Sequence, residues 1–220
     1  KTELSLSESE IGNLDWLEIG CGAGYFVDVL FDAGIKTVSV IEQNEELLNR
    51  ILERRSQIKV FPETCFQRLF KEQKFNVIVL FFVIEHFDEG WKFWEAVATC
   101  PRNTILVFSV PTFGISALTE NFATDVVARC LNATVHTQIY TDSSIDYALN
   151  VCGFEKVSEW IFGQDAISFM NLLTGCEGSV AGPVREFFSS SRLPGVIDEI
   201  QAVFDKHRLS DSRHIMAIKK

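Results

Sequence analysis

The chain has 220 residues, 47% of them hydrophobic and 23% charged, which is the composition of a folded domain with a sizeable core. A net charge of −10 disfavours nucleic acid or an anionic membrane as the main partner, and no apolar run reaches the roughly 20 residues that span a membrane. Six cysteines without a Cys-x-x-Cys pair disfavour a zinc site and a disulfide framework, and they predict free thiols in a reducing, cytoplasmic compartment.

Hydrophobic periodicity predicts strands and helices that alternate along the chain. The strands are predicted at residues 13–19, 37–41, 58–61, 75–82, 103–110, 154–162 and 214–218. The helices are predicted at residues 24–33, 45–54, 88–98 and 143–151. Such alternation is typical of a parallel, doubly wound α/β sheet with helices on both faces, and the continuous apolar run at 75–82 fits a central strand.

Two stretches interrupt this alternation. Residues 111–142 separate the fifth strand from the next helix, where loops of such a fold carry function, so we expect a substrate lid there. Residues 164–210 are predicted to form a helical insertion before the last strand. The predicted organisation is one domain over residues 1–220 that carries these two insertions. Because the chain starts at Lys1 and the first strand follows so soon, we expect further residues before it.

The turn after the first strand carries Gly20, Gly22 and Gly24 at alternate positions. Residues without a Cβ let the backbone approach a ligand closely at the start of a helix. A dinucleotide fingerprint needs a small residue one place later, where this chain has Tyr25. Glu18, just before the turn, is also unsuited to a pyrophosphate and suits a cationic ligand. The turn therefore favours a cationic cofactor over a nicotinamide dinucleotide.

A second acidic residue, Glu42, ends the second predicted strand, 22 positions after Gly20. The carboxyl ends of parallel strands meet at one edge of the sheet, so this carboxylate is expected close to the glycine turn. It can accept hydrogen bonds from both hydroxyls of a ribose there. The alternative is a solvated glutamate at a strand end, and the combination of spacing and position favours ribose binding.

Together the glycine turn, Glu18 and Glu42 resemble motif I and the ribose-binding residue of the class I methyltransferases that use S-adenosylmethionine (SAM). The resemblance implies a Rossmann-like sheet of seven strands in the order 3-2-1-4-5-7-6, with strand 7 antiparallel. It also implies that Glu42 holds the ribose of the cofactor and that Glu18 organises the turn and the methionine amino group. The cofactor site that it implies comprises Glu18, Gly20, Gly22, Gly24, Glu42, Asn44, Thr64, Phe81 and Phe82.

Other residues of this set also have plainer alternatives, which are a structural cap for Glu18 and ordinary turn positions for the three glycines. Thr64 follows the third strand, where the loop in this family usually reaches the adenine, and its alternative is a plain loop residue. Phe81 and Phe82 end the fourth strand and are expected at the methionine end of the cofactor. Packing in the core is the alternative for both rings.

The segment from Phe81 to Phe87 resembles the hydrophobic–Glu–His turn of small-molecule methyltransferases, both ubiquinone-methyltransferase-like and sugar-tailoring. His86 can act as a general base, since a neutral imidazole accepts a proton from a hydroxyl near pH 7. Its alternative is a histidine that only shapes the pocket. Glu85 is expected to contact the acceptor. Two neighbouring residues alone do not make a metal site, so we expect no metal.

A further resemblance covers residues 136–165 and is to methyltransferases associated with bacterial surface polysaccharides. It rests on the pattern His-x-x-x-Tyr-Thr-x-x-Ser that starts at His136 and on the end of the sixth strand. It implies His136 as a second candidate for proton transfer, and Tyr140, Trp160 and Asp165 as acceptor-binding residues. The alternatives are a loop histidine and a buried tryptophan.

These resemblances imply an enzyme, a SAM-dependent methyltransferase that acts on a small molecule, foremost a sugar hydroxyl in glycan or nucleotide-sugar tailoring. A quinone or polyketide-type O- or C-methyltransferase stays open as an alternative, as does a methyltransferase-like module that binds without turnover. A nicotinamide oxidoreductase is disfavoured by Tyr25. Neither a nucleic-acid partner nor a membrane span is expected, and the oligomeric state is left open.

Overall fold

The computed structural model describes residues 8–62, 66–120, 135–175, 186 and 193–220. Within these residues one sheet is formed by the strands β1 Asp15–Ile19, β2 Thr37–Ile41, β3 Lys59–Val60, β4 Val77–Phe81, β5 Ile105–Pro111, β6 Phe154–Phe162 and β7 Ser212–Lys219. The helices are α1 Glu8–Ile11, α2 Tyr25–Asp32, α3 Glu45–Arg54, α4 Phe66–Glu72, α5 Gly90–Val97, α6 Ile115–Glu120, α7 Asp142–Val151, α8 Asp165–Gly175 and α9 Leu193–Lys206. A 3-10 turn, Ile84–His86, follows β4.

The sheet has the order β3-β2-β1-β4-β5-β7-β6 with β7 antiparallel, which confirms the predicted topology. Strand β1 lies between β2 and β4 in parallel register, with Glu18 opposite Val40 on one side and Val79 on the other. From β1 the chain adds β2 and β3 on one side of the sheet and then crosses to add β4 on the other side of β1. Ligands of open α/β sheets bind at the carboxyl ends of strands beside such a switch point, so the turns after β1, β2 and β4 frame the candidate site.

The middle of the sheet is apolar on both faces. Ile78 on one face of β4 and Val79 on the other are both fully buried, as parallel strands covered by helices require. Strand β4 begins two residues later than the predicted start at residue 75. Asn76, just before it, accepts a hydrogen bond from the Asp15 amide at 2.8 Å through its side chain and so fixes the start of β1.

Helix α4 is absent from the sequence-based predictions. Its Leu69 and Phe70 are buried, and the ring of Phe66 stacks on Phe70 with 6.1 Å between centroids. Phe93 of α5 meets Phe66 edge-on at 5.5 Å. A helix of seven residues is marginal by its own propensity, so this aromatic packing against α5 is what stabilises it.

The chain divides into two compact units. The first consists of Lys1–Ser109, Ser143–Glu159 and Ile215–Lys220, and the second of Val110–Asp142 and Trp160–His214. The substrate lid at 111–142 and the helical insertion at 164–210 stay predictions, because residues 121–134, 176–185 and 187–192 lie outside the described part. None of the described helices is long and apolar enough to cross a lipid bilayer.

Candidate active site

The glycine turn after β1 needs its glycines for two reasons. Gly20, Gly22 and Gly24 all have positive φ angles, of 70°, 53° and 77°, which side-chain-bearing residues rarely adopt. A Cβ on Gly20 would also lie 2.5 Å from Val83, and one on Gly24 would lie 2.6 Å from Ile51. The turn is thus packed tightly between the loop after β4 and helix α3. Its backbone polar groups lie at the edge of the sheet.

Gly24 also explains how Tyr25 is accommodated. Gly24 is the left-handed N-cap of α2 and makes the close packing contact, so the next residue is not required to be small. Tyr25 is accordingly 80% exposed. Tyr25, the large residue whose position in the sequence disfavours a dinucleotide fingerprint, therefore points into solvent in the structure.

Glu42 ties the turns after β1 and β2 together. One carboxylate oxygen accepts a hydrogen bond from the Gly22 amide at 2.7 Å, and the other accepts one from the Asn44 amide at 2.9 Å. Each oxygen keeps a further lone pair for a ligand. Asn44 caps α3, because its side-chain oxygen accepts from the Glu46 and Leu47 amides at 3.0 and 3.1 Å. These bonds give both residues a structural role beside the predicted cofactor contacts.

Glu18 is a buried carboxyl beside this turn. Its side chain is 4% exposed, and its Oε2 atom has no hydrogen-bond partner among the described residues. Burial, followed by the negative charge of Glu42, raises the pKa of Glu18 to about 8. The same causes, together with Glu18 itself, raise the pKa of the Cys21 thiol to about 12. The surroundings of Glu18 therefore favour positive charge, and Cys21 is no thiolate nucleophile.

A cavity of about 210 Å³ joins these elements within the first unit. It is lined by Ile19, Gly20, Ile41, Glu42, Gln43, Phe66, Val83, His86 and Phe87. Gln43, Phe66, His86 and Phe87 also line a larger pocket of about 590 Å³. Sequence reasoning placed Gly20, Glu42 and His86 at the site and missed the others. For Gln43 a usable signal was its place next to Glu42.

Glu85 and His86 form an acid–imidazole pair, of which His86 lines this cavity. Glu85 is 1% exposed, and its Oε1 atom lies 3.9 Å from His86 Nε2, whose side chain is 39% exposed. Burial raises the pKa of Glu85 to about 7, and its own backbone amide and His86 lower that pKa only in part. A solvent-reachable imidazole beside a buried carboxyl is an arrangement that can accept a proton.

The two phenylalanines that end β4 lie in different surroundings. Phe81 packs edge-on against Phe26 at 5.0 Å and joins the apolar cluster around Val77 and Val79. Phe82 has a φ of 57°, which is strained for a residue with a side chain, and is 41% exposed. The cofactor contacts expected of both rings stay predictions, and the structure adds a core-packing role for Phe81.

The predicted acceptor residues of the second unit differ in exposure. Trp160 is 63% exposed and stacks on Phe162 with 4.5 Å between ring centroids. Tyr140 is 5% exposed and its carbonyl accepts a hydrogen bond from the Phe113 amide at 3.0 Å. Trp160 thus offers an aromatic surface to solvent, whereas Tyr140 is part of the interior.

Asp165 is a structural centre of the second unit. It is 1% exposed, and its two carboxylate oxygens accept hydrogen bonds from the Ser116 amide at 3.2 Å and the Asp211 amide at 3.1 Å. An acceptor contact by Asp165 stays a prediction. His136 is half-buried and its role is likewise a prediction, and Thr64 lies outside the described residues.

The sheet order, the glycine turn after β1 and the acidic residue after β2 together define a SAM-dependent methyltransferase of the Rossmann-like class. The family model described as a methyltransferase domain matches residues 3–159, and the chain belongs to this family. A comparison with curated protein sequences gave no match.

Solved structures share the fold at low identity. A SAM-dependent methyltransferase from Archaeoglobus fulgidus is 17% identical, with a TM-score of 0.58 over 94% of this chain and 87% of that one. A SAM-dependent methyltransferase from Mesorhizobium loti is 14% identical, with a TM-score of 0.58 over 97% and 94%. The [4+2]-cyclase SpnF is 13% identical, with a TM-score of 0.59 over 94% and 76%. Because the last of these is described as a cyclase, the fold alone does not name the reaction.

Proposed function

We propose that the first unit binds SAM with its ribose on Glu42, its methionine amino group towards Glu18 and its adenine near Gln43 and Phe66. Three observations support this placement. Glu42 lines the same 210 Å³ cavity as Gly20 and keeps lone pairs for hydroxyl groups. The burial of Glu18 beside Glu42 favours a positively charged ligand. Gln43 and Phe66 line the adjoining pocket.

We further propose that His86 is the general base of the reaction. Bound SAM supplies a methyl carbon activated by its sulfonium. His86 would accept at Nε2 the proton of the acceptor hydroxyl, whose oxygen would take the methyl group with S-adenosylhomocysteine as the leaving group. The ionised form of Glu85, which predominates above pH 7, lies 3.9 Å away and stabilises the imidazolium that results. Holding donor and acceptor in line supplies much of the rate in such a displacement.

For the acceptor we propose a carbohydrate hydroxyl. The supporting observation is the 63% exposed indole of Trp160, which stacks on Phe162 with one face and leaves an aromatic surface of the kind on which sugar rings pack. A quinone or polyketide hydroxyl is the second candidate, because the Glu85–His86 pair would serve it equally. A chain that binds SAM but methylates neither class would instead be a non-catalytic binding module.

The observation that carries the proposal is the position of Glu42, and its test is calorimetric titration with S-adenosylhomocysteine. Glu42→Ala is expected to weaken binding about 10-fold, because charge-assisted hydrogen bonds to the ribose are lost. Glu45→Gln is the matched control, because Glu45 is an exposed acidic residue at the start of α3, close to Glu42 in the chain. This variant should bind like wild type. Equal affinity of Glu42→Ala and wild type would remove the ribose assignment.

The base is tested by turnover. His86→Ala is expected to lower kcat about 100-fold with nearly unchanged affinity for S-adenosylhomocysteine, since a base acts in the transition state. His207→Ala, an exposed histidine of the second unit, is the control, and His136→Ala tests the other candidate. Nucleotide sugars, glycans and quinols are the acceptors to screen. Normal turnover in His86→Ala would eliminate this histidine from the mechanism.

A further inference from the structure

The guanidinium of Arg54 bridges three elements at the far end of helix α3. Its Nη2 atom donates to the Ala23 carbonyl at 2.6 Å, and its Nη1 atom donates to the Arg50 carbonyl at 3.1 Å. Its Nε atom donates to Asp28 of α2 at 3.3 Å. One planar cation therefore connects α3, α2 and the glycine turn.

The bond to Ala23 matters because of where that residue stands. Ala23 lies between Gly22 and Gly24, two glycines of the turn that have positive φ angles. A carbonyl held by a cation fixes the plane of the Ala23–Gly24 peptide. The N–H of the same peptide, on Gly24, donates to the Cys21 carbonyl at 2.9 Å, so Arg54 holds the carbonyl side of a peptide whose amide side is bound within the turn.

Helix α3 thus holds the turn from both of its ends. At its start, Asn44 caps the helix and donates its amide to Glu42, which in turn binds the Gly22 amide. At the other end of the helix, Arg54 donates to the carbonyl of Ala23, the residue that follows Gly22 in the turn. Arg50, one turn earlier, contributes only its carbonyl.

Arginine is suited to this position in a way that lysine is not. Its planar fork presents several donors in fixed directions, so it can bind two carbonyls and a carboxylate at once. A lysine ammonium could replace one of these bonds but would not keep the geometry of all three.

We propose that Arg54 is a positioning residue of the cofactor site, which holds the glycine turn in the conformation that binds SAM. The inference rests on the proposed function, because it assumes that SAM binds over this turn. Arg54 itself touches no part of the cofactor in this proposal and acts through the Ala23 peptide alone.

Arg55 provides a matched control. It follows Arg54 in the chain and donates to the same Asp28 at 2.8 Å and to Asp32 at 2.7 Å. Both of these carboxylates belong to α2. Its side chain is 27% exposed, compared with 42% for Arg54. Removing Arg55 therefore costs at least as much ion pairing between α2 and α3 and leaves the bond to the turn in place.

The experiment is calorimetric titration of S-adenosylhomocysteine into wild type, Arg54→Ala, Arg54→Lys and Arg55→Ala, with the thermal midpoint of each variant recorded. Arg54→Ala is expected to raise the Kd roughly 5- to 10-fold, the effect of losing one charge-assisted hydrogen bond. Arg54→Lys should fall between wild type and Arg54→Ala. Arg55→Ala should keep the wild-type Kd while lowering the thermal midpoint at least as much as Arg54→Ala.

Two results would overturn the inference with the proposed function intact. One is a wild-type Kd in Arg54→Ala, and the other is the same increase in Kd in Arg54→Ala and Arg55→Ala, which would mark a general loosening of the α2–α3 contact. Absence of binding by wild type would overturn the proposed function, and the positioning role would fall with it.

Discussion

Glu18 is a carboxyl that the fold keeps protonated at neutral pH. Burial and the neighbouring Glu42 place its pKa at about 8, against 4.5 for an ordinary glutamate. Above pH 4.5 the unfolded chain loses this proton, whereas the folded chain keeps it until the pH approaches 8. The contribution of Glu18 to the free energy of unfolding therefore falls as the pH rises through this window.

Glu18→Gln is expected to flatten that part of the stability profile, because an amide does not ionise. Between pH 5 and pH 8 the free energy of unfolding of wild type should fall by on the order of 3–4 kcal/mol more than that of Glu18→Gln. Urea unfolding at pH 5 and pH 8 measures the difference, with the exposed Glu53→Gln as the control. Parallel profiles of Glu18→Gln and wild type would show that Glu18 is ionised in the folded protein.

At the scale of elements, the ends of α5 and α7 share one cation. Lys219 of β7 donates to the Ala98 carbonyl at 2.9 Å and to the Cys152 carbonyl, which are the residues that follow the two helices. It also lies 5.4 Å from the Phe154 ring. A positive charge at helix carboxyl ends is favourable, and here it binds the otherwise unsatisfied carbonyls directly.

Lys219→Met is expected to lower the free energy of unfolding by about 1–3 kcal/mol, since it removes two hydrogen bonds to a charged donor and keeps the apolar stem. The control is Lys220→Met, because Lys220 pairs with Glu155 at the surface and such pairs contribute about 1 kcal/mol or less. Chemical denaturation of the three proteins gives the comparison. If both variants showed the same small decrease in the free energy of unfolding, the capping role of Lys219 would be wrong.

Elements with a strong local signal were predictable from the sequence. The strand at 37–41, the helix at 45–54 and the strand at 154–162 have the predicted limits, because periodicity and flanking residues define them locally. Helix α4 was missed because its stability comes from aromatic packing with α5. The first strand was predicted two residues too long at its start.

The same distinction applies to the candidate site. The glycine turn and Glu42 were predictable, since their chemistry and spacing are visible along the chain. Phe66 and Arg54 come to the site only through tertiary packing, and nothing near them in the sequence marks them. Side chains that support a site depend on the whole fold, so pattern reasoning cannot find them.

At the scale of the whole molecule, the second unit has a polar interior of its own. Asp165 and Asp211 are both buried, and Ser116 binds both, through its amide to Asp165 and through its hydroxyl to Asp211 at 2.9 Å. Gly163 lies against them, since a Cβ there would be 2.2 Å from an Asp165 oxygen and 2.6 Å from an Asp211 oxygen. This glycine is required for space.

Gly163→Ala is expected to destabilise the second unit by about 1–3 kcal/mol, because the added methyl group displaces hydrogen-bonded carboxylates. Gly195→Ala is the control: a Cβ at residue 195 would meet no atom within 4 Å, and alanine in helix α9 should add about 0.5–1 kcal/mol. Hydrogen exchange of α8 and α9 reports on both. Unchanged protection in Gly163→Ala would contradict the crowding at this position.

Each unit also carries an exposed indole, and the difference between them has an optical consequence. Trp91 is 55% exposed and lines the 590 Å³ pocket of the first unit, whereas Trp160 is 63% exposed in the second unit. Tryptophan fluorescence responds to the polarity around the ring. Trp16 and Trp94 remain in either single variant. A signal that persists in Trp160→Phe and is lost in Trp91→Phe would therefore come from Trp91 at the pocket, and a signal with the opposite pattern would come from Trp160 in the second unit. The chain contains a separate unlabelled reporter for each.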